Sequence, residues 1–556
     1  MSEANNYPSA RKLLFDSIKT EKTDIVIVFI YAVVIGLLYL TTPLAVQELV
    51  NIIAFGVVLQ PLFILTGLVV LGLLLVGIFR IFQRYLVETL QQRLFVKTSF
   101  ELIEQIKSIK KGSLGNKQIN LFFEVLALQK SYSKLLIDGL SAALQAGVGF
   151  IVLGLYHPYF LFLDIFLFIA ILLAIFLGGK GGVKTSLKES HYKYELVHSL
   201  QETASCHDVF KLLGNTDFLF GRTDAINLKY LDARSKHFKV IIRQNILSLI
   251  LQTLASGSLL ALGGWLVING NLTLGQLIAA ELVVTAIVAA VDKFVGQIEV
   301  VYDLFTALVK LDFLKSLPHD ESQGNKQLTP NQKGLRVECK NLFFSYNRDN
   351  TSRNILKGFN LQVEAGEWIH ILGSRGEGKS TILLLIAGLY DSDKGSIYLN
   401  DLEIKEINIQ SIGQSIGLVR GGNNLIFEGT LEENILLGRE AQLPLRKILQ
   451  ISGLEDLVSG MPLGLKTQIE SKGENLSESQ IVRVLIARAI TSSPALVLID
   501  EEAFGSLESE LKQNILKGLA EQMDFRPTVI IVGNEDSLNS WIQTRYNLEN
   551  GLLVRV

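Results

Sequence analysis

Six apolar stretches before residue 300, a polar linker, and then β-branched runs alternating with helical ones around a glycine loop predict a multi-domain chain. The fold class is an all-α six-helix transmembrane domain with cytoplasmic helical extensions, followed by an α/β P-loop NTPase domain. At 556 residues the chain is too long for one core. A charged fraction of 19% and a mean hydropathy of +0.35 exclude an ordinary soluble protein of this size. The net charge of -2 gives no basis for a nucleic-acid partner. Cys206 and Cys339 stand far apart, form no metal-ligand or disulfide pattern, and are expected to be plain buried thiols.

The apolar stretches lie near Ile25–Val46, Val57–Phe79, Leu140–Tyr156, Tyr159–Gly178, Ile246–Ile268 and Leu272–Val291. Most reach the ~20 residues that cross a bilayer as a helix. The first is too long for a signal-peptide core and lacks a cleavage site of small residues. No Lys or Arg occurs in Thr42–Phe79, Asp138–Gly179 or Asn245–Asp292, whereas Ser9–Lys22, Arg80–Lys134 and Lys180–Arg243 are rich in them. Cationic loops stay in the cytoplasm. An inner (plasma) membrane protein is therefore expected, with the N-terminus, both long loops and everything after Lys293 cytoplasmic. The outer connections are expected near Glu48, at His157-Pro158 and at Asn269–Asn271. The inner loops, as in "LFFEVLALQKSYSKLL", carry apolar residues at helical spacing and read as helices extending beyond the membrane. Glu281, about 13 Å into the sixth span at 1.5 Å per residue, is a candidate for the translocation cavity, because an ionisable group at that depth is costly and usually functional.

The polar segment Leu317–Gly334 is the best boundary. The expected division is 1–24 cytoplasmic segment, 25–316 transmembrane domain, 317–334 linker and 335–556 nucleotide-binding domain. Beyond the boundary, "GEWIHIL" reads as a buried strand, "GSRGEGKST" as a phosphate loop and "KSTILLLIAGL" as a helix, the order that the motif G-x-x-x-x-G-K-[ST] requires. The candidate ATP-binding residues are Gly373, Ser374, Arg375, Gly376, Glu377, Gly378, Lys379, Ser380 and Thr381. Backbone N–H groups close around phosphate, Lys379 neutralises it, and the Ser380 hydroxyl binds Mg²⁺ at the positive end of the helix. In "ALVLIDE", a strand ends in Asp500, placed for the Mg²⁺ shell, and then in Glu501, the candidate catalytic residue that activates water.

By these motifs the C-terminal half from about Gly334 resembles the nucleotide-binding domain of ATP-binding cassette (ABC) transporters. Tyr346 in "FFSY" matches the aromatic that stacks on adenine. "IFEGTLEENI" (Ile426–Ile435) matches the segment after the family's glutamine loop. "LSESQ" (Leu476–Gln480), followed by "ARAI", falls where the signature belongs, and Ser506-Leu507-Glu508 matches the loop after the catalytic Glu. The N-terminal half resembles the six-span domain of ABC exporters by layout and by "GGWLVINGNLTLGQLIA" (Gly263–Ala279). The resemblance implies a head-to-tail dimer in which each ATP lies between one chain's phosphate loop and the other chain's signature, Ser477 included. It also implies coupling helices near Gln118–Leu128 and Asn215–Asn227.

The chain departs from the pattern at four positions. Gly422 stands where the family has its loop glutamine, Glu478 and Ser479 replace the two signature glycines, and Asn534 stands at the switch histidine. Asn can donate a hydrogen bond but cannot become cationic, Gly422 has no side chain to reach Mg²⁺, and Glu478 brings negative charge towards the partner's γ-phosphate. Ser477 and Gln480 also have the spacing of a capping box, which serves a helix start with or without ATP. The expectation is ATP-driven export by an ABC exporter half-transporter, paired with a second half-transporter chain in a lipid bilayer, with slow hydrolysis. The alternative is an ATP-binding membrane regulator or gated channel. About 24 residues precede the first span, so no N-terminal peptidase-like domain is expected. The substrate, and homodimer against heterodimer, stay open.

Overall fold

The structure, a computed structural model, describes residues 21–555 except 56–58, 111–119, 121–122, 213–215, 320–323, 330–333, 349–350, 423–424, 535–540 and 543. The chain divides into two compact units, Met1–His319 and Asp320–Val556.

The first unit is helical: α1 (Lys22–Leu38), α2 (Thr41–Phe55), α3 (Leu59–Ser108), α4 (Phe123–Lys134), α5 (Leu140–Tyr156), α6 (Pro158–Gly178), α7 (Gly182–Ser205), α8 (His207–Leu212), α9 (Asp217–Ile268) and α10 (Leu274–Lys315). Six helical stretches among the described residues are long and apolar enough to cross a bilayer, matching the six expected. α3 has 50 residues and α9 has 52. At 1.5 Å per residue each runs about 75 Å, far beyond the ~30 Å of hydrocarbon, so the charged inner segments are helical continuations of the spans. α4 and α5 join through a π-helical turn at Leu135–Gly139, so the third span, short in the sequence, belongs to a continuous helix.

The first span is broken at Tyr39–Leu40. Pro43 has no N–H to give the Tyr39 carbonyl, so the helix restarts as α2. The expected outer connection near Glu48 is corrected. Glu48 is an exposed residue inside α2, which runs through it to Phe55. A charge on an open helix face needs no loop. The other two connections stand where expected. His157 caps α6 by accepting from Tyr159 N, with Pro158 at the first helical position, where its missing N–H costs nothing. At the end of α9 the N–H groups of Gly270 and Asn271 return to the carbonyls of Val267 and Leu266, the closing pair of a Schellman turn. Thr273 and Gln276 then form a capping box for α10. The expected coupling segments fall partly outside the described residues; the described parts are Asn120, which is buried, 123–128 at the start of α4, and 216–227, where Thr216 is the N-cap of α9 and the rest its first turns. The cysteine expectation holds for Cys339 and fails for Cys206, which is the exposed C-cap residue of α7.

The second unit is α/β: β1 (Val337–Arg348), β2 (Thr351–Val363), β3 (Trp368–Gly373), α11 (Lys379–Ile386), β4 (Lys394–Leu399), β5 (Leu402–Glu403), α12 (Ile409–Ser415), β6 (Ile416–Val419), β7 (Gly429–Thr430), α13 (Leu431–Leu436), α14 (Leu445–Ser452), α15 (Glu455–Gly460), β8 (Gln468–Ile469), α16 (Glu478–Ile490), β9 (Leu496–Asp500), α17 (Glu501–Phe504), α18 (Ser509–Glu521), β10 (Thr528–Val532), β11 (Thr544–Glu549) and β12 (Leu552–Arg555). A six-stranded sheet has the order β12-β11-β3-β10-β9-β6, and an antiparallel sheet the order β2-β1-β4-β5. β11, β3, β10, β9 and β6 run parallel. Parallel strands are covered on both faces, which explains the uninterrupted apolar runs "LVLID" and "TVIIV", buried at every residue. One apolar cluster forms around α13, α14, α16 and α18, and another around β1, β2, β4 and α11.

Candidate nucleotide site

β3 lies between β10 and β11, parallel to both. Loops at the carboxyl ends of such strands form the usual ligand crevice. After Gly373 the chain turns through Ser374, Arg375, Gly376 and Glu377, and α11 starts at Lys379 with Gly378 as its N-cap. Gly378 has φ +101, and a Cβ there would stand 2.2 Å from Ile355 Cγ2, so only glycine fits. The Lys379 ammonium folds back over the loop. It donates to the Gly373 carbonyl at short range and to the Ser374 carbonyl at 3.0 Å. The Glu377 carboxylate fastens the loop from within by accepting Ser374 N–H at 3.1 Å. Ser380 and Thr381 occupy the first turn of α11. The Tyr346 hydroxyl lies 3.0 Å from Thr381 Oγ1, and its ring meets Phe344 and Tyr390 edge-on at 4.9 and 5.8 Å.

Asp500 ends β9 and is buried. β9 and β3 flank β10, so Asp500 and Gly373 are two strand spacings apart, about 10 Å along the sheet edge. Asn534, two residues beyond β10, stands between them; its Oδ1 accepts Gly373 N–H at 3.0 Å. The sheet thus brings the phosphate loop, Tyr346, Asp500 and Asn534 to one region. Glu501 opens α17, and its side chain lies outside the described residues.

Ser477 Oγ accepts from Gln480 N at 3.3 Å while Gln480 Oε1 accepts from Ser477 N at 2.8 Å. The capping box read from the sequence is therefore present and starts α16. Ser479 Oγ accepts from Arg483, one turn on, at 3.4 Å. Among the described residues none of Ser477, Glu478 and Ser479 bonds to the phosphate loop. Gly422 has φ +121, and among the described residues nothing beyond its chain neighbours lies within 4 Å of where a Cβ would stand. There is room for a side chain, but the backbone is in a region that residues with a Cβ avoid.

Sequence reasoning missed two groups. Arg488, in the quoted "ARAI", ties α16 to α13 and to the segment before it. Its Nε donates to Asn434 O at 2.7 Å, Nη1 to Leu425 O at 2.7 Å and Nη2 to Asn434 Oδ1 at 3.2 Å. Burial, with Arg439 adding to it, pulls the guanidinium pKa down to about 10, so it stays charged at neutral pH. The buried Asn434 also bonds the Phe427 and Thr430 carbonyls. The other group is Asp164 in α6, buried with neither carboxyl oxygen partnered among the described residues. An acid within an otherwise apolar span was the available signal. Glu281 is the eighth residue of α10, and its Oε2 is likewise buried without a partner among the described residues.

Residues 356–503 match the ABC transporter family model. The C-terminal unit contains an ABC transporter domain. Such a domain is an ATP-binding domain, and the match covers the phosphate loop, the capped α16 and the end of β9. The uncharacterized ABC transporter ATP-binding protein YwjA of Bacillus subtilis is 29% identical over 322 residues, 57% of this chain and 55% of that protein. The ATP-dependent lipid A-core flippase of Neisseria meningitidis is 27% identical over 334 residues, 60% of this chain and 53% of that protein. The chain spans about half the length of the curated relatives it matches. A solved structure of a bacterial Atm1-family ABC exporter with ATP bound matches with a TM-score of 0.83 over 96% of this chain and 94% of that chain, at 20% identity. The chain shares the fold of that solved structure, and among the described residues six helical stretches long and apolar enough to cross a membrane precede the ABC transporter domain.

Proposed function

We propose that this chain is one half of an ATP-driven exporter. It pairs with a second half-transporter chain, either a copy of itself or a related one, and moves a substrate across the inner (plasma) membrane by alternating access. The N-terminus and the ABC transporter domain face the cytoplasm. The observation that carries the reading is the glycine loop at the end of β3, with the Lys379 ammonium folded over it, in a chain that also has six spans.

The residues present fit ATP with Mg²⁺. The αL Gly378 opens a helix whose free N–H groups face the loop, the natural seat of a polyphosphate. Lys379 exchanges its two carbonyl partners for phosphate oxygens, and Tyr346 offers a ring face for the adenine. Ser380 and Asp500 would hold the metal, which supplies charge neutralisation between the phosphates. Glu501 takes the proton of the attacking water. Asn534 holds the loop through Gly373 and replaces a cationic contact with a neutral one. The partner's Ser477-bearing helix closes the site, and Glu478 there adds repulsion. These departures support slow turnover. Glu281 lines the substrate path.

The test is phosphate release by the purified full chain in nanodiscs, with and without a candidate partner chain. ATP-dependent release that Glu501→Gln abolishes supports the reading. Tight ATP binding with no turnover in any pairing overturns it.

A further inference from the structure

We infer that the charged helical ends of the first unit form a second ligand site, for a small multivalent organic anion held by Lys130, Lys134 and Lys193. A cavity of about 260 Å³ lies between α4, α7, α9 and α10. Its α10 wall reaches Asp303, twelve residues beyond the apolar run that ends at Val291, hence about 18 Å outside the membrane-spanning part. The cavity is therefore wet and apart from the spans. Its size is just below the ~300–1,000 Å³ of typical small-molecule sites, which suits a ligand smaller than a nucleotide.

The charges in its wall decide the sign of the ligand. Glu124 is taken by Lys310 at 2.8 Å, and Lys310 also donates to Ser190 and sits 3.8 Å over the Tyr194 ring. Glu189 is taken by Arg234 at 3.1 Å, and Arg234 is shared with Glu299 at 3.8 Å. Asp303 is then the one lining carboxylate left without an ion pair among the described residues. Against it stand Lys130, Lys134 and Lys193, none within ion-pair distance of a carboxylate among the described residues. Lys130 and Lys134 are four apart on α4 and line the same cavity, an arrangement that repels within the helix unless an anion lies between them. With Lys310 and Glu299, which pair with wall residues, five cationic side chains (Lys130, Lys134, Lys193, Arg234 and Lys310) meet four carboxylates (Glu124, Glu189, Asp303 and Glu299), which leaves one positive charge in excess. Ser131 adds a neutral donor. A di- or tricarboxylate, or a small phosphate ester, satisfies this set; a cation or an apolar molecule does not.

Citrate is the probe. Its binding to the full chain in phosphatidylcholine nanodiscs is measured by calorimetry at constant ionic strength. Saturable binding is expected, weakened about tenfold for each ammonium removed, hence about 100-fold in Lys130→Gln/Lys134→Gln. Lys130→Arg/Lys134→Arg keeps the charge and should bind within a few-fold of wild type. ATP binding, read in parallel, should not change in either variant, which separates loss of the site from loss of the fold. Repeating the titration in nanodiscs doped with phosphatidylglycerol identifies the source of the anion. Competition assigns the site to a lipid headgroup, and no competition assigns it to a solute. Equal citrate affinity in the Gln double variant overturns the proposal, as does the absence of saturation below about 10 mM.

Discussion

Replacing Arg488 by Met tests how the nucleotide unit holds α16. Met keeps the stem and removes three hydrogen bonds, at 2.7, 2.7 and 3.2 Å. A bond from a charged donor contributes about 1.5–3 kcal/mol, but two of these share Asn434 and do not add in full. The larger effect is what remains behind. Asn434 is fully buried, so its carbonyl loses a partner where water cannot replace it. Removing one side of a buried charged network costs about 3–5 kcal/mol, and the half-buried rim of Arg488 puts this case near ~3–4 kcal/mol. For a unit of this size that is a fall of roughly 6–16 °C in the melting temperature of the nucleotide unit. Thermal melting of the full chain in nanodiscs, with hydrogen exchange followed over residues 425–436, gives both the global and the local effect. Arg488→Lys should recover little, since one ammonium cannot reach acceptors on two sides. Melting within 2 °C of wild type, with exchange over that segment unchanged, would refute the reasoning.

Further expectations concern the site and its supports. Lys379→Ala should abolish ATP binding; an affinity within about a factor of two of wild type, measured with labelled nucleotide, contradicts the role of the ammonium. Glu478→Gly/Ser479→Gly/Asn534→His should raise steady-state phosphate release, though by less than the ~10²–10³ of an intact site, because Gly422 stays and the new His must replace the bond from Gly373 N–H. A triple variant no faster than wild type would mean that other positions limit turnover. Glu281→Gln should change cargo-stimulated ATP hydrolysis; an unchanged response removes it from the substrate path. Glu433 is held below the usual carboxylate range by the Thr430 N–H and then by the Thr430 hydroxyl. Its contribution is therefore present above the unfolded pKa of about 4.3 and lost as pH falls through the lower folded value. The stability gap between wild type and Glu433→Gln should shrink from pH 6 to pH 3, and a gap that widens on acidification contradicts this sign.

Local signals were enough for much of this protein. The six spans follow from apolar length and the distribution of Lys and Arg, because a bilayer leaves few other solutions. The glycine turn between β3 and α11 follows from glycine spacing, since a Cβ at Gly378 would stand 2.2 Å from Ile355 Cγ2. The box at Ser477 and Gln480 was legible because capping is a four-residue affair. Glu48 misled for the converse reason. A lone charge says nothing local about a turn, and only the course of α2 shows that the helix passes through it. The remainder depends on residues far apart in the chain. Asn534 meets Gly373 across 161 positions because β10 and β3 are neighbours in the sheet. Arg488 finds Leu425 and Asn434 because α16 packs beside that segment. Lys310 takes Glu124 across 186 positions and so leaves Lys130 and Lys134 uncommitted. A sequence lists the charges, but which of them are already neutralised is decided only when helices and strands are set side by side, where Coulomb energy and desolvation depend on ångström distances.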